Sequence, residues 1–186
     1  MKRLLAVLVL VFILSGCKGS NDPLDQVMML RRDILSGSGC SFSATITADY
    51  TDALYTFSMD CTADRQGNIS FTVTGPETIS QITGTVSGKG GHLTFDDHAL
   101  AFPVLADGEL SPVSGPYVFL KALRGGYISA SGEDGNLTRV SLNDSYAEDA
   151  LHLDLWLGED SLPVQADIYW QGRRALSLQV SEFKIL

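Results

Sequence analysis

Cys40-Ser-Phe-Ser-Ala-Thr-Ile-Thr-Ala48, followed by Asp49-Tyr-Thr-Asp52 and then by Ala53-Leu-Tyr-Thr-Phe-Ser-Met-Asp-Cys61, is the stretch on which the fold turns. In its first part Phe42, Ala44, Ile46 and Ala48 alternate with Ser41, Ser43, Thr45 and Thr47. In its last part Ala53, Tyr55, Phe57 and Met59 alternate with Leu54, Thr56, Ser58 and Asp60. A period of two marks strands with one buried face. A four-residue loop at 49–52 joins them as a hairpin. The antiparallel pairs then fall at 48 with 53, 46 with 55, 44 with 57 and 42 with 59. Continued, this register sets Cys40 opposite Cys61, both on the apolar face. Opposed strand residues lie within the roughly 7 Å between Cα atoms that a disulfide tolerates. A Cys40–Cys61 bridge is therefore expected, with two free thiols as the alternative. Closing a loop of about twenty residues, it would contribute ~3 kcal/mol.

Outward from this hairpin the chain reads as helix, strands, short helix, strands. Asp22 can cap a helix with Pro23 at its first position, where a missing N–H costs nothing. Leu24, Val27, Met28, Ile34 and Leu35 fall on or near one face, Arg31 and Arg32 suit the late turns, and Gly37 ends the helix. After the hairpin come strand patterns at Ile69–Thr74, Ile82–Val86, Leu93–Phe95 and Leu100–Phe102, then a Pro-, Gly- and Ser-rich loop over 103–115. Pro116 opens a second short helix carrying Tyr117, Leu120 and Leu123, stopped by Gly125-Gly126. Further strands follow at Tyr127–Ser131, Leu137–Leu142, Leu151–Leu157, Leu162–Trp170 and Ala175–Leu186. The fold class this predicts is mainly β (α+β). It is a large curled antiparallel sheet forming an unclosed barrel, with the N-terminal helix and the short central helix covering its concave face.

The first residues give an address. Lys2 and Arg3 precede an unbroken apolar run, Leu4–Leu14, and then Ser15-Gly16-Cys17. The run is too short to span a bilayer but suits the core of a signal peptide. The sequence Leu14-Ser-Gly-Cys17 matches the lipobox of bacterial lipoproteins: small residues admit the peptidase, and the Cys17 thiol accepts a diacylglycerol. The reading is a signal peptide at 1–16, a lipidated tether at 17–21 and one domain at 22–186. Membrane contact is through the N-terminal lipid, and two or more acyl chains make such an anchor stable. Lys18, rather than aspartate, follows the cysteine. The expected location is extracytoplasmic: the outer membrane of a double-membrane cell, or the outer face of the plasma membrane in a single-membrane one.

Loss of residues 1–16 leaves 11 Lys and Arg against 22 Asp and Glu, a net charge of −11. A nucleic-acid partner, which needs clustered cations, is excluded on that balance. No Gly-x-Ser-x-Gly, P-loop or zinc-spaced cluster occurs. Asp96-Asp97-His98 reads as a solvated turn, and His152 with Asp154 as the polar face of a strand, so no metal, cofactor or enzymatic activity is expected.

In element order, in the helix and hairpin from Pro23 to Cys61, and in Leu162-Pro-Val-Gln-Ala-Asp-Ile-Tyr-Trp-Gln-Gly-Arg173, the chain resembles the lipoprotein-carrier superfamily (LolA/LolB-like). The resemblance implies an unclosed barrel lidded by helices, with a lipid, an acyl chain, a lipoprotein or another apolar ligand held between. Candidate pocket residues on the apolar faces are Phe42, Ile46, Tyr55, Phe57, Phe71, Leu120, Leu153, Leu155 and Trp170. The alternative is a non-enzymatic interaction or regulatory module at the membrane surface with a solid core. Oligomeric state is not legible.

Overall fold

A computed structural model describes residues 22–50, 53–96, 98–106, 109–147 and 150–186. The signal peptide, Cys17 and its tether lie outside these residues, as do Asp97 and the pair Glu148-Asp149. Helix α1 (Pro23–Ser36) is followed by β1 (Gly39–Asp49), β2 (Leu54–Asp64), β3 (Ile69–Gly75), β4 (Thr83–Ser87), β5 (Gly90–Phe95) and β6 (His98–Phe102). A two-strand ribbon, β7 (Leu105–Ala106) and β8 (Glu109–Leu110), leads into α2 (Gly115–Gly125). Then come β9 (Tyr127–Asp134), β10 (Leu137–Asn143), β11 (His152–Leu157), β12 (Pro163–Trp170) and β13 (Arg173–Ile185).

Eleven strands form one antiparallel sheet in the order β6-β5-β4-β3-β2-β1-β13-β12-β11-β10-β9. It is two meanders sewn together where the last strand pairs with the first, Ile46 facing Leu178. The edges β6 and β9 do not meet, so the sheet is unclosed. A twisted sheet of this width curls. One face carries the alternating apolar side chains in cross-strand rows, such as Phe57–Ile46–Leu178–Ala166–Leu155–Val140. Both helices lie on this face. The other is a polar face of Ser and Thr over β1–β3, with Ser43, Thr45 and Thr47 bonded to Asp60, Ser58 and Thr56 on the neighbouring strand.

Asp22 caps α1 as its sequence suggests, its carboxylate accepting the Leu24 N–H at 3.0 Å, and Gly37 ends the helix. The buried face is narrower than the apolar pattern implied: Val27, Leu30 and Ile34 are buried, whereas Leu24, Met28 and Leu35 are exposed. Arg31 does not serve its own helix. Its guanidinium donates to the Leu123 and Gly126 carbonyls at 2.8 and 2.9 Å, satisfying the open C-terminal end of α2. The two lid helices are thereby tied to each other. In α2 the residues Val118, Phe119, Leu120, Ala122 and Leu123 are buried against the sheet. The 103–115 loop contains more order than its composition suggested, namely the β7–β8 ribbon and a 3-10 turn at Pro112–Ser114.

The first hairpin forms, but two residues out of the expected register. Ala48 pairs with Tyr55, Ile46 with Phe57, Ala44 with Met59, Phe42 with Cys61 and Cys40 with Ala63. The reason lies in the turn: Tyr50 N–H donates to Ala53 O at 3.0 Å, so the loop is 50–53 rather than 49–52. A slip of two keeps every side chain on its face, and the apolar alternation is blind to it. Cys40 and Cys61 therefore share a face as diagonal neighbours, about 7–8 Å between Cα atoms, at or beyond disulfide reach. The expected bridge is absent: both are buried free thiols.

Candidate functional site

The concave face is the place to look for a ligand, and most of it is filled by the protein itself. Of the candidate pocket residues, Phe42, Ile46, Phe57, Phe71, Leu120, Leu153 and Leu155 are all buried members of one continuous core. Phe119 of α2 points edge-on at Phe42, ring centres 5.6 Å apart, and Phe42 stacks on Phe183 at 5.7 Å. Such contacts are those of a close-packed interior. Trp170 is half-buried against the same core, its indole N–H enclosed without a partner. Tyr55 departs from the expectation. The register shift leaves it near the turn of the hairpin, exposed, with its ring 6.0 Å from that of Tyr50.

The core face does not stop where the lid stops. Both helices make their main sheet contacts on β1, β9, β10, β12 and β13. Beyond them the row Phe42–Cys61–Phe71 continues through Gly84 and Leu93 to Leu100. The next row runs Cys40–Ala63–Ile69–Val86–Gly91–Phe102. Two glycines give this end its shape. A side chain at Gly84 would collide with the Phe71 ring, and one at Gly91 with the Phe102 ring. The ring tips of Phe71 and Phe102 occupy the space that side chains at these glycines would take. Leu93 and Phe102 are half-buried there, while Phe95 and Leu100 are 48% and 59% exposed. The uncovered part of the concavity is thus an apolar strip on β4–β6, composed of Leu93, Phe95, Leu100 and Phe102. Alternation in Leu93–Phe95 and Leu100–Phe102 made the strands legible. Their exposure was not, because it depends on where the helices end.

The cysteines sit under the same face. Burial pushes the Cys40 thiol up to about 11, opposed by the nearby Arg124 cation. Burial, with Asp60 and Cys40 alongside, pushes Cys61 further in the same direction. Both are protonated and unreactive at neutral pH.

The opposite, convex face of β10–β12 is polar. Asp154 and Asp167 are cross-strand neighbours and both are buried. Asp154 accepts from Arg139 and from the Ser141 hydroxyl, each at 2.6 Å, and His152 lies 3.5 Å away. Burial alone would raise the Asp154 carboxyl; the Arg139 and Ser141 hydrogen bonds and the cation outweigh it and hold the group below the usual carboxylate range. Arg174 reaches Asp167 at 3.3 Å. Arg139 also lies 5.5 Å from the Trp156 ring centre. A shallow cleft of about 450 Å³ adjoins this network and is lined by Ala130, Ser131, Gly132, Glu133, Asp134, Arg139 and Ser141. Among the described residues no three His, Cys, Asp or Glu side chains converge as a metal site. His98 curls onto the Asp96 carbonyl at 2.7 Å, as a turn residue does.

No family model matches the chain, and no curated protein matches it. Solved structures do. A LolA superfamily protein from Nitrosomonas europaea aligns over 90% of this chain and 94% of its own, with 10% identity and a TM-score of 0.44. A DUF1329 family protein from Desulfovibrio piger aligns over 88% and 91%, with 9% identity and a TM-score of 0.47. The lipoprotein LppX of Mycobacterium tuberculosis aligns over 87% and 94%, with 13% identity and a TM-score of 0.42. Solved structures that resemble this chain thus include a LolA superfamily protein and the lipoprotein LppX, a likeness of fold.

Proposed function

We propose that the protein is an envelope lipoprotein, anchored through acylated Cys17, that binds a lipid, an acyl chain or another extended apolar ligand without enzymatic chemistry. The observation that carries this reading is the strip Leu93–Phe95–Leu100–Phe102, the open end of an otherwise sealed apolar face. The Phe71 and Phe102 rings packed against Gly84 and Gly91 keep it apolar, which suits a narrow, flexible hydrocarbon chain lying along the sheet. On this reading the ligand lies beside the lid rather than beneath it, against the β5–β6 side chains in place of the buried candidates Phe42, Ile46 and Leu120. The solid core under α2 favours a second reading, a module that contacts a membrane protein through the same strip.

The test is lipid mass spectrometry on protein extracted from its native membrane, compared with Phe95→Asp/Leu100→Asp. Co-purifying lipid in stoichiometric amount, lost in the double variant, supports the first reading. Absence of lipid from both proteins, with in-cell crosslinking from position 100 to one stoichiometric protein, would establish the second.

A further inference from the structure

Helix α1 has two apolar faces where one is needed. Val27, Leu30 and Ile34 are consumed by the core. Leu24, Met28 and Leu35 form a separate stripe, within about 40° of one another around the helix axis, and are 41%, 48% and 47% exposed. From Leu24 to Leu35 the stripe is about 16 Å long. Of the two cations beside this stripe between Met28 and Leu35, Arg31 folds inward to the α2 carbonyls, while Arg32 is exposed and pairs with Asp33 at 3.0 Å. A water-facing helix has no use for three large apolar side chains in line.

The position of the stripe says what covers it. Only four residues, 18–21, separate Cys17 from the Asp22 cap, five peptide steps with a reach of at most about 17 Å. With Cys17 acylated, the N-terminal end of α1 stays within that distance of the bilayer surface. We infer that the Leu24–Met28–Leu35 stripe rests in the interfacial layer of the membrane that holds the Cys17 lipid. The inference rests on the lipoprotein reading above. An interfacial helix shows this pattern of an apolar stripe along one side. The neighbouring charges, Asp22, Asp25, Asp33 and Arg32, are mostly acidic, so the attraction is apolar and suits zwitterionic lipid. The consequence is orientation: α1 lies flat on the membrane, and the domain is held in one pose instead of tumbling on its tether.

Nitroxide depth measurements on the acylated full-length protein in phosphatidylcholine vesicles test this. Cys40 and Cys61 are buried and Cys17 is blocked by its lipid, so a single label can be placed at Met28→Cys or, as a convex-face control, at Ser70→Cys. The expected result is a several-fold higher ratio of oxygen to nickel-chelate collisions at position 28 than at position 70. That ratio should fall to the position-70 level in Leu24→Glu/Leu35→Glu. Equal ratios at both positions, with mass spectrometry showing Cys17 acylated, would overturn the inference while leaving the anchor intact. Dipolar broadening between labels at position 28 would assign the stripe to a second copy and overturn it too. An unacylated Cys17 would sink the lipoprotein reading itself, and the inference with it.

Discussion

Phe119→Ala distinguishes a solid core from a hollow one. Phe119 is buried at the centre of α2, edge-on to Phe42, which in turn stacks on Phe183. In a close-packed interior, truncating such a ring removes its burial and leaves a cavity that neighbours fill only in part. The cost is about 4 kcal/mol, within the 3–5 kcal/mol usual for this substitution. For a domain of this size that corresponds to a fall in Tm of roughly 10 °C, a large share of a total stability of about 5–15 kcal/mol. The assay is urea unfolding of the non-acylated Cys17→Ser protein, followed by circular dichroism, with Leu100→Ala as comparison. Leu100 is mostly exposed and its truncation should cost no more than about 0.5 kcal/mol. A loss below about 1 kcal/mol for Phe119→Ala, at an unchanged dependence on urea, would refute the reasoning. It would mean that the ring borders a ligand cavity and that the concavity is open beneath the lid.

Three further outcomes are expected. Asp154→Asn should lower stability by about 2 kcal/mol at neutral pH, because charge-assisted bonds from Arg139 and Ser141 are weakened. The folded carboxyl titrates below its unfolded value near 3.9, so its contribution is full above that pH and lost as pH falls through the folded value. The wild type should accordingly lose more stability than the variant on acidification below about pH 4, as read from urea midpoints. Cys40 and Cys61 should resist alkylation by a thiol reagent in the native protein and react at once in urea; an intact mass two hydrogens short would instead restore the bridge. Cys17→Ser should yield an uncleaved or soluble product in cell fractionation, and a variant that is cleaved yet still membrane-held would remove the anchor assignment.

Hairpin registers and site residues were legible to different degrees. Alternation of Phe42, Ala44, Ile46 and Ala48 assigned the strand, its partner and its buried face, because side-chain direction in a strand follows from sequence parity alone. It could not choose between registers that differ by two, and the turn hydrogen bond from Tyr50 to Ala53 made that choice. Helix α1 failed differently. Its apolar residues were counted as one face, yet Leu24, Met28 and Leu35 lie outside the contact because the sheet reaches only the arc through Val27, Leu30 and Ile34. Arg31 offered no signal of its role, since the carbonyls it binds are some ninety residues away in the chain.

The sequence was sufficient for what local pattern controls: the strands of period two, the caps of α1 and the stop of α2. It also implied an open antiparallel sheet lidded by helices. Tertiary structure alone decided how far the lid extends, and with it which apolar residues are core and which are surface. Phe42 and Leu100 stand in one cross-strand row and read alike in sequence. One is buried under Phe119 and the other is open to solvent, because burial is set by what the distant chain brings to the opposite side.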